Sequence, residues 1–209
     1  MWRLCKRSYI PPRPVFRPMH TLGLAPYDVP TPGPAAPPLG PRPPPAGPFP
    51  LGALLDSRAD YDTVFRVVRG AVRYALGIER PGLGLGLSNL PPQLGAYWQV
   101  TGNLIVLNEG LVETMRTHAR SPAELNSFLY VILAHEYLHA LGYLDEGAVR
   151  AVTARVTRVA FGADHLATHM AEGDLWRLYP FLSSAPGGDG RRLKVVTRFD
   201  LATTQTYIR

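Results

Sequence analysis

Hydrophobic positions along this chain fall into blocks with different periods. Val64, Val67, Val68, Ala71, Val72 and Ala75 recur in steps of three and four, with Asp60 and Asp62 ahead of them and Gly77 behind. Those steps share one face of a helix, so an amphipathic helix over about residues 61–76 is expected. In "GLGLGLSNL", residues 82–90, Leu83, Leu85 and Leu87 alternate with glycines, which is the period of a strand. Pro91 and Pro92 follow directly, whereas a dinucleotide-binding loop needs its glycines to open a helix. Residues 96–108, "AYWQVTGNLIVLN", hold two apolar runs split by Thr101, Gly102 and Asn103, the composition of a tight hairpin. A sheet of about three strands follows.

The second half reads as helices. Asn108 is a candidate N-cap for a helix that carries Leu111, Val112 and Met115 on one face and ends near His118. His118 reads as a surface histidine at a helix C-terminus, where positive charge is favoured. Ser121, Pro122 and Glu124 supply a cap, a proline at the first helical position and a capping-box acid. The helix they open runs through Phe128, Leu129, Val131, Ile132, Leu133, Ala134, Leu138 and Leu141 to Gly142. Apolar residues occupy nearly every side of it from 128 to 134, which marks a central buried helix. Val149, Val152, Val156 and Val159 mark another over residues 146–161, and "RRLKVVTRF" near the C-terminus is a further candidate strand.

Composition divides the chain. Of its 22 prolines, 16 lie in residues 1–50, where missing N–H donors and fixed φ angles oppose both helix and sheet. The expected organisation is a disordered, basic, proline-rich arm over 1–55, a folded domain over 56–184 and a basic extension over 185–209. The net charge of +6 belongs to the two tails, since residues 56–184 hold 11 basic and 13 acidic side chains. Nucleic acid would therefore be met only through the tails.

Cys5 is the single cysteine, which excludes a disulfide framework and thiolate zinc knuckles and fits a reducing, cytoplasmic setting. The first 20 residues lack an apolar core, are poor in serine and carry four prolines. They read as an unprocessed arm, or a start assigned too far upstream, rather than a transit peptide. No stretch has the roughly 18 apolar residues of a membrane span.

The chemistry lies in "HEYLHALGYLDE", residues 135–146. One helical turn separates His135 from His139, so both imidazoles can reach one metal ion at about 2.0–2.1 Å. Glu136 is rotated about 100° from His135, a place from which it can hold a metal's water without binding the metal. Burying an ionised carboxylate without a partner is costly, and a metal with its water removes that cost at all three positions. Spacing and context together point to zinc.

Residues 135–139 match HExxH, and this part of the chain resembles the zincin metallopeptidases. The motif match covers about a dozen residues, and the compatible order of helix, small sheet with a hairpin and active-site helix extends over about 61–176. The resemblance implies a small α+β zincin-like domain, with His135 and His139 as zinc ligands and Glu136 as the general base and acid that activates water. It also implies a free strand edge ahead of the active helix on which an extended peptide or protein substrate pairs, with "NLIVLN" as the candidate. Tyr97, Trp98 and Tyr143 then either line a pocket or pack as core. Met170 invites comparison with the methionine turn of metzincins, but no turn sequence surrounds it and core packing is expected.

A catalytic zinc takes three protein ligands. In the metzincin pattern HExxHxxGxxH, Gly142 occupies the glycine place and Asp145 the last one, which resembles the snapalysin-like variant with aspartate. Asp145 is thus the expected third ligand, and it is also a candidate N-cap for the following helix. Glu146, His165, His169 and Glu172 are its rivals. Two other functions fit the same residues. A metal-dependent endoribonuclease with the pattern HxxxHxxGxDH matches the spacing of 135, 139 and 145, although that pattern does not call for Glu136. A noncatalytic module would use zinc only to stabilise its fold, with the arm recruiting a partner or shielding the cleft as a pro-segment.

Overall fold

The computed structural model describes residues 49–100, 102–196 and 199. Most of the expected arm, Cys5 included, lies outside the described residues, as do the hairpin residue Thr101 and residues 197, 198 and 200–209 of the expected C-terminal extension.

Local signals act largely where the pattern places them. Helix α1, Tyr61–Leu76, begins where the Asp60 carboxylate accepts the Thr63 N–H at 2.8 Å, and ends at Gly77 with φ of 72°. Its stripe from Val64 to Ala75 is buried. The strands are β1, Gly84–Ser88; β2, Ala96–Trp98; β3, Leu104–Asn108; and a short β4, Lys194–Val195. Helices α2, Glu109–His118; α3, Pro122–Ala140; α4, Glu146–Phe161; α5, Leu166–Glu172; and α6, Leu175–Leu178 follow in chain order. With six helices and a four-stranded mixed sheet among the described residues, this is a small α+β domain. No helix among these residues is long and apolar enough to cross a membrane.

The sheet order is β2-β3-β1-β4, with β2 antiparallel to β3, β3 parallel to β1 and β4 antiparallel to β1. The expected hairpin forms, and β4 adds the fourth strand. One expectation is corrected: "NLIVLN" is not a free edge, because β3 is paired on both sides. Among the described residues the outer strands are β2 and β4. Glycine in β1 has a steric reason. A Cβ on Gly86 would come 2.6 Å from Leu193 Cδ1, and one on Gly84 would come 3.2 Å from Leu104 Cδ1. Leucines on the opposite face, Leu83 and Leu85, meanwhile enter the core.

Core formation reaches past residues 56–184. Phe49 and Leu55 are buried ahead of α1, and Phe199 stacks on Phe65 with ring centroids 4.4 Å apart. At the centre stands α3, in which every residue from Asn126 to Ala140 is buried. Phe128, Ile132 and Leu133 are completely enclosed, each such side chain contributing about 1.5–3 kcal/mol. Asn126 satisfies its amide by donating to the Leu55 and Ser57 carbonyls at 2.9 and 2.5 Å, which ties the chain ahead of α1 to the central helix.

The start of α3 is a reciprocal cap. Ser121 Oγ accepts the Glu124 N–H at 3.2 Å, and Glu124 Oε2 reaches back to the Arg120 N–H at 2.7 Å. Arg120 Nη2 and the Tyr179 hydroxyl donate to Glu124 Oε1 at 2.8 and 3.0 Å. The Arg120 side-chain hydrogen bond holds the Glu124 carboxyl below its ordinary value of 4.5, against the opposing pull of burial. This carboxylate therefore stabilises the fold above pH 4.5, and the contribution is lost as pH falls through the lowered folded value. Glu124→Gln is expected to lose about 1–3 kcal/mol at neutral pH. In denaturant titrations over a pH series, its deficit relative to wild type should shrink below about pH 4; an undiminished deficit in acid would contradict the assignment.

Candidate metal centre

The last two turns of α3 and the first turn of α4 meet at one cluster. Gly142, at φ of 99°, turns the chain after α3, and the Tyr143 N–H returns to the Leu138 carbonyl at 3.2 Å. A loop of five residues, 141–145, then sets the start of α4 beside the end of α3. His135 Nε2 and His139 Nε2 lie 3.2 Å apart. Glu146 places Oε2 3.3 Å from His135 Nε2 and Oε1 3.2 Å from His139 Nε2. These three side chains form the one group among the described residues whose ligand atoms could hold a metal ion together.

The spacing suits a cation. A tetrahedral ion with bonds of about 2.0–2.1 Å has ligand-to-ligand edges of about 3.3–3.4 Å. His139 Nδ1 lies 2.8 Å from the Tyr143 carbonyl, which can only accept, so Nδ1 carries the hydrogen. Neutral His139 is thereby left with its lone pair on Nε2, facing the cluster. Burial lowers the His135 pKa, with Glu146 opposing, and so favours the neutral imidazole that a metal requires. For His139 burial also pulls downward, but the hydrogen bond to Glu146 and the charges of Glu136 and Glu146 outweigh it and the value is raised. Glu146 is lowered: burial alone would raise it, and its contacts with the two histidines prevail.

Asp145 does not join this group. Its Oδ1 accepts the Ala148 N–H at 2.8 Å as the N-cap of α4, and its neighbour Glu146 supplies the carboxylate that meets the histidines. Capping folds a short side chain back over its own helix, whereas Glu146, one residue further round, has the longer stem. The structure thus places Asp145 in the second of its two expected roles, the cap, and brings its rival Glu146 to the histidines. The sequence held the signal, since an Asp-Glu pair at a helix start offers one acid for the cap and one to spare. His165 accepts the Ala167 N–H at 3.1 Å and caps α5, Glu172 pairs with Arg158 at 2.6 Å, and His169 is exposed. Met170 is core.

Glu136 stands beside the cluster, fully buried. Its Oε2 accepts the Trp98 N–H of β2 at 2.8 Å, and its Oε1 is buried with no hydrogen-bond partner among the described residues. Burial pushes its carboxyl up to about 8, against the lowering influence of His139 and the Trp98 N–H. This unpartnered acceptor and the three side chains that could hold a metal ion thus share one end of α3.

Comparison with protein-family models, curated proteins and solved structures finds no match to this chain.

That geometry separates two adjacent acids experimentally. Glu146→Ala is expected to weaken divalent-metal affinity by about a hundredfold or more in chelator competition. Asp145→Ala should keep the metal and lose about 1 kcal/mol of stability as a missing cap. Metal loss from the Asp145 variant with retention in the Glu146 variant would reverse the assignment.

Proposed function

We propose that this chain is a zinc-dependent peptidase of zincin type, with His135, His139 and Glu146 holding the metal and Glu136 handling the proton. One observation carries the reading: the outward-facing backbone N–H of Trp98, on an outer strand of the sheet, is bonded to a buried glutamate beside three converging ligand atoms. Gly95 and Gln99 bond inward to β3, through the Asn108 N–H at 2.9 Å and the Leu104 carbonyl at 2.9 Å. By the alternation of an antiparallel ladder, the backbone groups of Ala96 and Trp98 face away from β3, where Glu136 takes the Trp98 N–H. A peptide adding to that edge as a further strand lies alongside Glu136, which suits an extended polypeptide substrate.

Zinc bound there supplies Lewis acidity, which makes water nucleophilic near neutral pH and stabilises charge on a carbonyl oxygen. Glu136 Oε1, the carboxylate oxygen with no partner among the described residues, would take a proton from the attacking water and pass it to the leaving nitrogen. The Trp98 N–H fixes the other oxygen, so the carboxylate presents one atom rather than two. The Tyr143 carbonyl keeps His139 in the tautomer that leaves Nε2 free. The endoribonuclease alternative takes its third ligand from position 145, where the side chain is a helix cap, and the peptidase reading is better supported. A reducing compartment suits a chain whose one cysteine is Cys5.

The purified protein is expected to carry about one zinc per chain and to cleave an unfolded protein substrate. Glu136→Gln should retain the metal and lose about 10²- to 10⁴-fold in kcat. Cleavage of structured RNA with unfolded protein left intact would replace this reading by the nuclease one. Full activity in the Glu136 variant would remove the proton-handling role.

A further inference from the structure

Arg80 lies in the connection between α1 and β1 and belongs to neither the metal cluster nor the strand edge, yet it touches elements that carry both. Its Nη1 donates to the Ala140 carbonyl at 2.6 Å, at the last residue of α3. Its Nη2 donates to Asn103 Oδ1 at 2.7 Å and to the Gly102 carbonyl at 3.3 Å, in the turn of the β2–β3 hairpin. The guanidinium carbon stands 5.4 Å from the centre of the Trp98 ring, and Trp98 Nε1 donates to the same Gly102 carbonyl at 3.0 Å. The backbone of Arg80 is anchored as well, with its N–H donating to the Tyr137 hydroxyl at 2.6 Å. Tyr137 follows Glu136 on α3.

The end of a helix leaves carbonyls without intrahelical partners and carries partial negative charge, so a guanidinium there is favoured twice. A planar fork with five donors can serve that carbonyl and the hairpin turn together while lying against an indole ring. A single ammonium cannot reproduce the arrangement.

We propose that Arg80 is a positioning residue: it clasps the β2–β3 hairpin to the end of α3 and thereby holds the Trp98 N–H against Glu136. The peptidase reading supplies its purpose, because the same clasp sets the height of the substrate edge above the proton-handling carboxylate. The clasp itself is a property of the fold and is testable without activity.

The experiment is amide hydrogen exchange of the zinc-loaded protein, wild type against Arg80→Ala, Arg80→Lys and Asn103→Ala. In Arg80→Ala the Trp98 amide is expected to exchange about tenfold faster, with amides of the β1–β3 ladder and the zinc content unchanged. Arg80→Lys and Asn103→Ala, which each remove part of the clasp, should show the same change at Trp98 to a smaller degree, and they decide the matter if Arg80→Ala does not fold. In peptidase assays kcat should fall about tenfold in Arg80→Ala with a smaller change in KM, and Arg80→Lys should recover part of it. Wild-type protection of Trp98 in the variants that fold overturns the clasp, whatever the activity. An inactive wild type whose Arg80 variants still release Trp98 overturns the peptidase reading alone and leaves the clasp standing.

Discussion

A helix with no solvent-facing side cannot carry polar groups unless other parts of the chain come to meet them. Residues 126–140 of α3 are buried without exception, yet they include Asn126, His135, Glu136 and His139. Each draws in a different element. Asn126 holds the carbonyls of Leu55 and Ser57, Glu136 holds the edge strand through the Trp98 N–H, and His139 holds the loop after Gly142 through the Tyr143 carbonyl. The polar residues of the central helix thus act as fixed points for the segment before α1, for β2 and for the approach to α4. Apolar packing supplies most of the stabilisation, and these bonds select which packing is adopted.

Of the buried side-chain oxygens on α3 and α4 left without a hydrogen-bond partner among the described residues, Glu136 Oε1 and Glu146 Oε2 stand together at the cluster, while Ser127 Oγ and the Tyr130 hydroxyl lie further back along α3. The Nε2 atoms of both histidines face each other and the Glu146 carboxylate at 3.2–3.3 Å. Lone pairs set that close need a proton or a cation between them. Protons satisfy them only in part, because burial favours neutral His135 while Glu146 favours charged His139. One divalent ion held there would satisfy all three side chains and release those protons, coupling metal binding to folding.

Much of this was legible along the chain, for reasons of range. Caps and periods act within a few residues, and Asp60, Asn108 and Ser121 each accept a backbone N–H at the helix start the pattern marks. The HExxH spacing is likewise local and put both histidines on one face. Strand order is not local. The parallel pairing of β1 with β3 encloses "NLIVLN" and leaves the three-residue β2 as an outer strand, and no period within either strand reveals that. Arg80 was invisible for a related reason, since its acceptors lie 23 and 60 residues away and a lone arginine in a connection carries no pattern. Phe49 and Phe199 escaped because a single aromatic beyond a domain's periodic part looks like tail until its partner is known.

The neighbours Asp145 and Glu146 show how closely local and site requirements sit. Both are acids at the start of α4, where the partial positive charge of a helix N-terminus favours either one. A cap needs a short side chain that curls over the first turn, and Asp145 Oδ1 does so at the Ala148 N–H. A ligand must instead leave its own helix and cross to α3, which the extra methylene of Glu146 permits. Position alone would have assigned the metal to the residue that completes a familiar spacing. At the start of α4 the Ala148 N–H has no intrahelical acceptor and takes the short Asp145 side chain, and the carboxylate one step further on is the one that reaches the histidines.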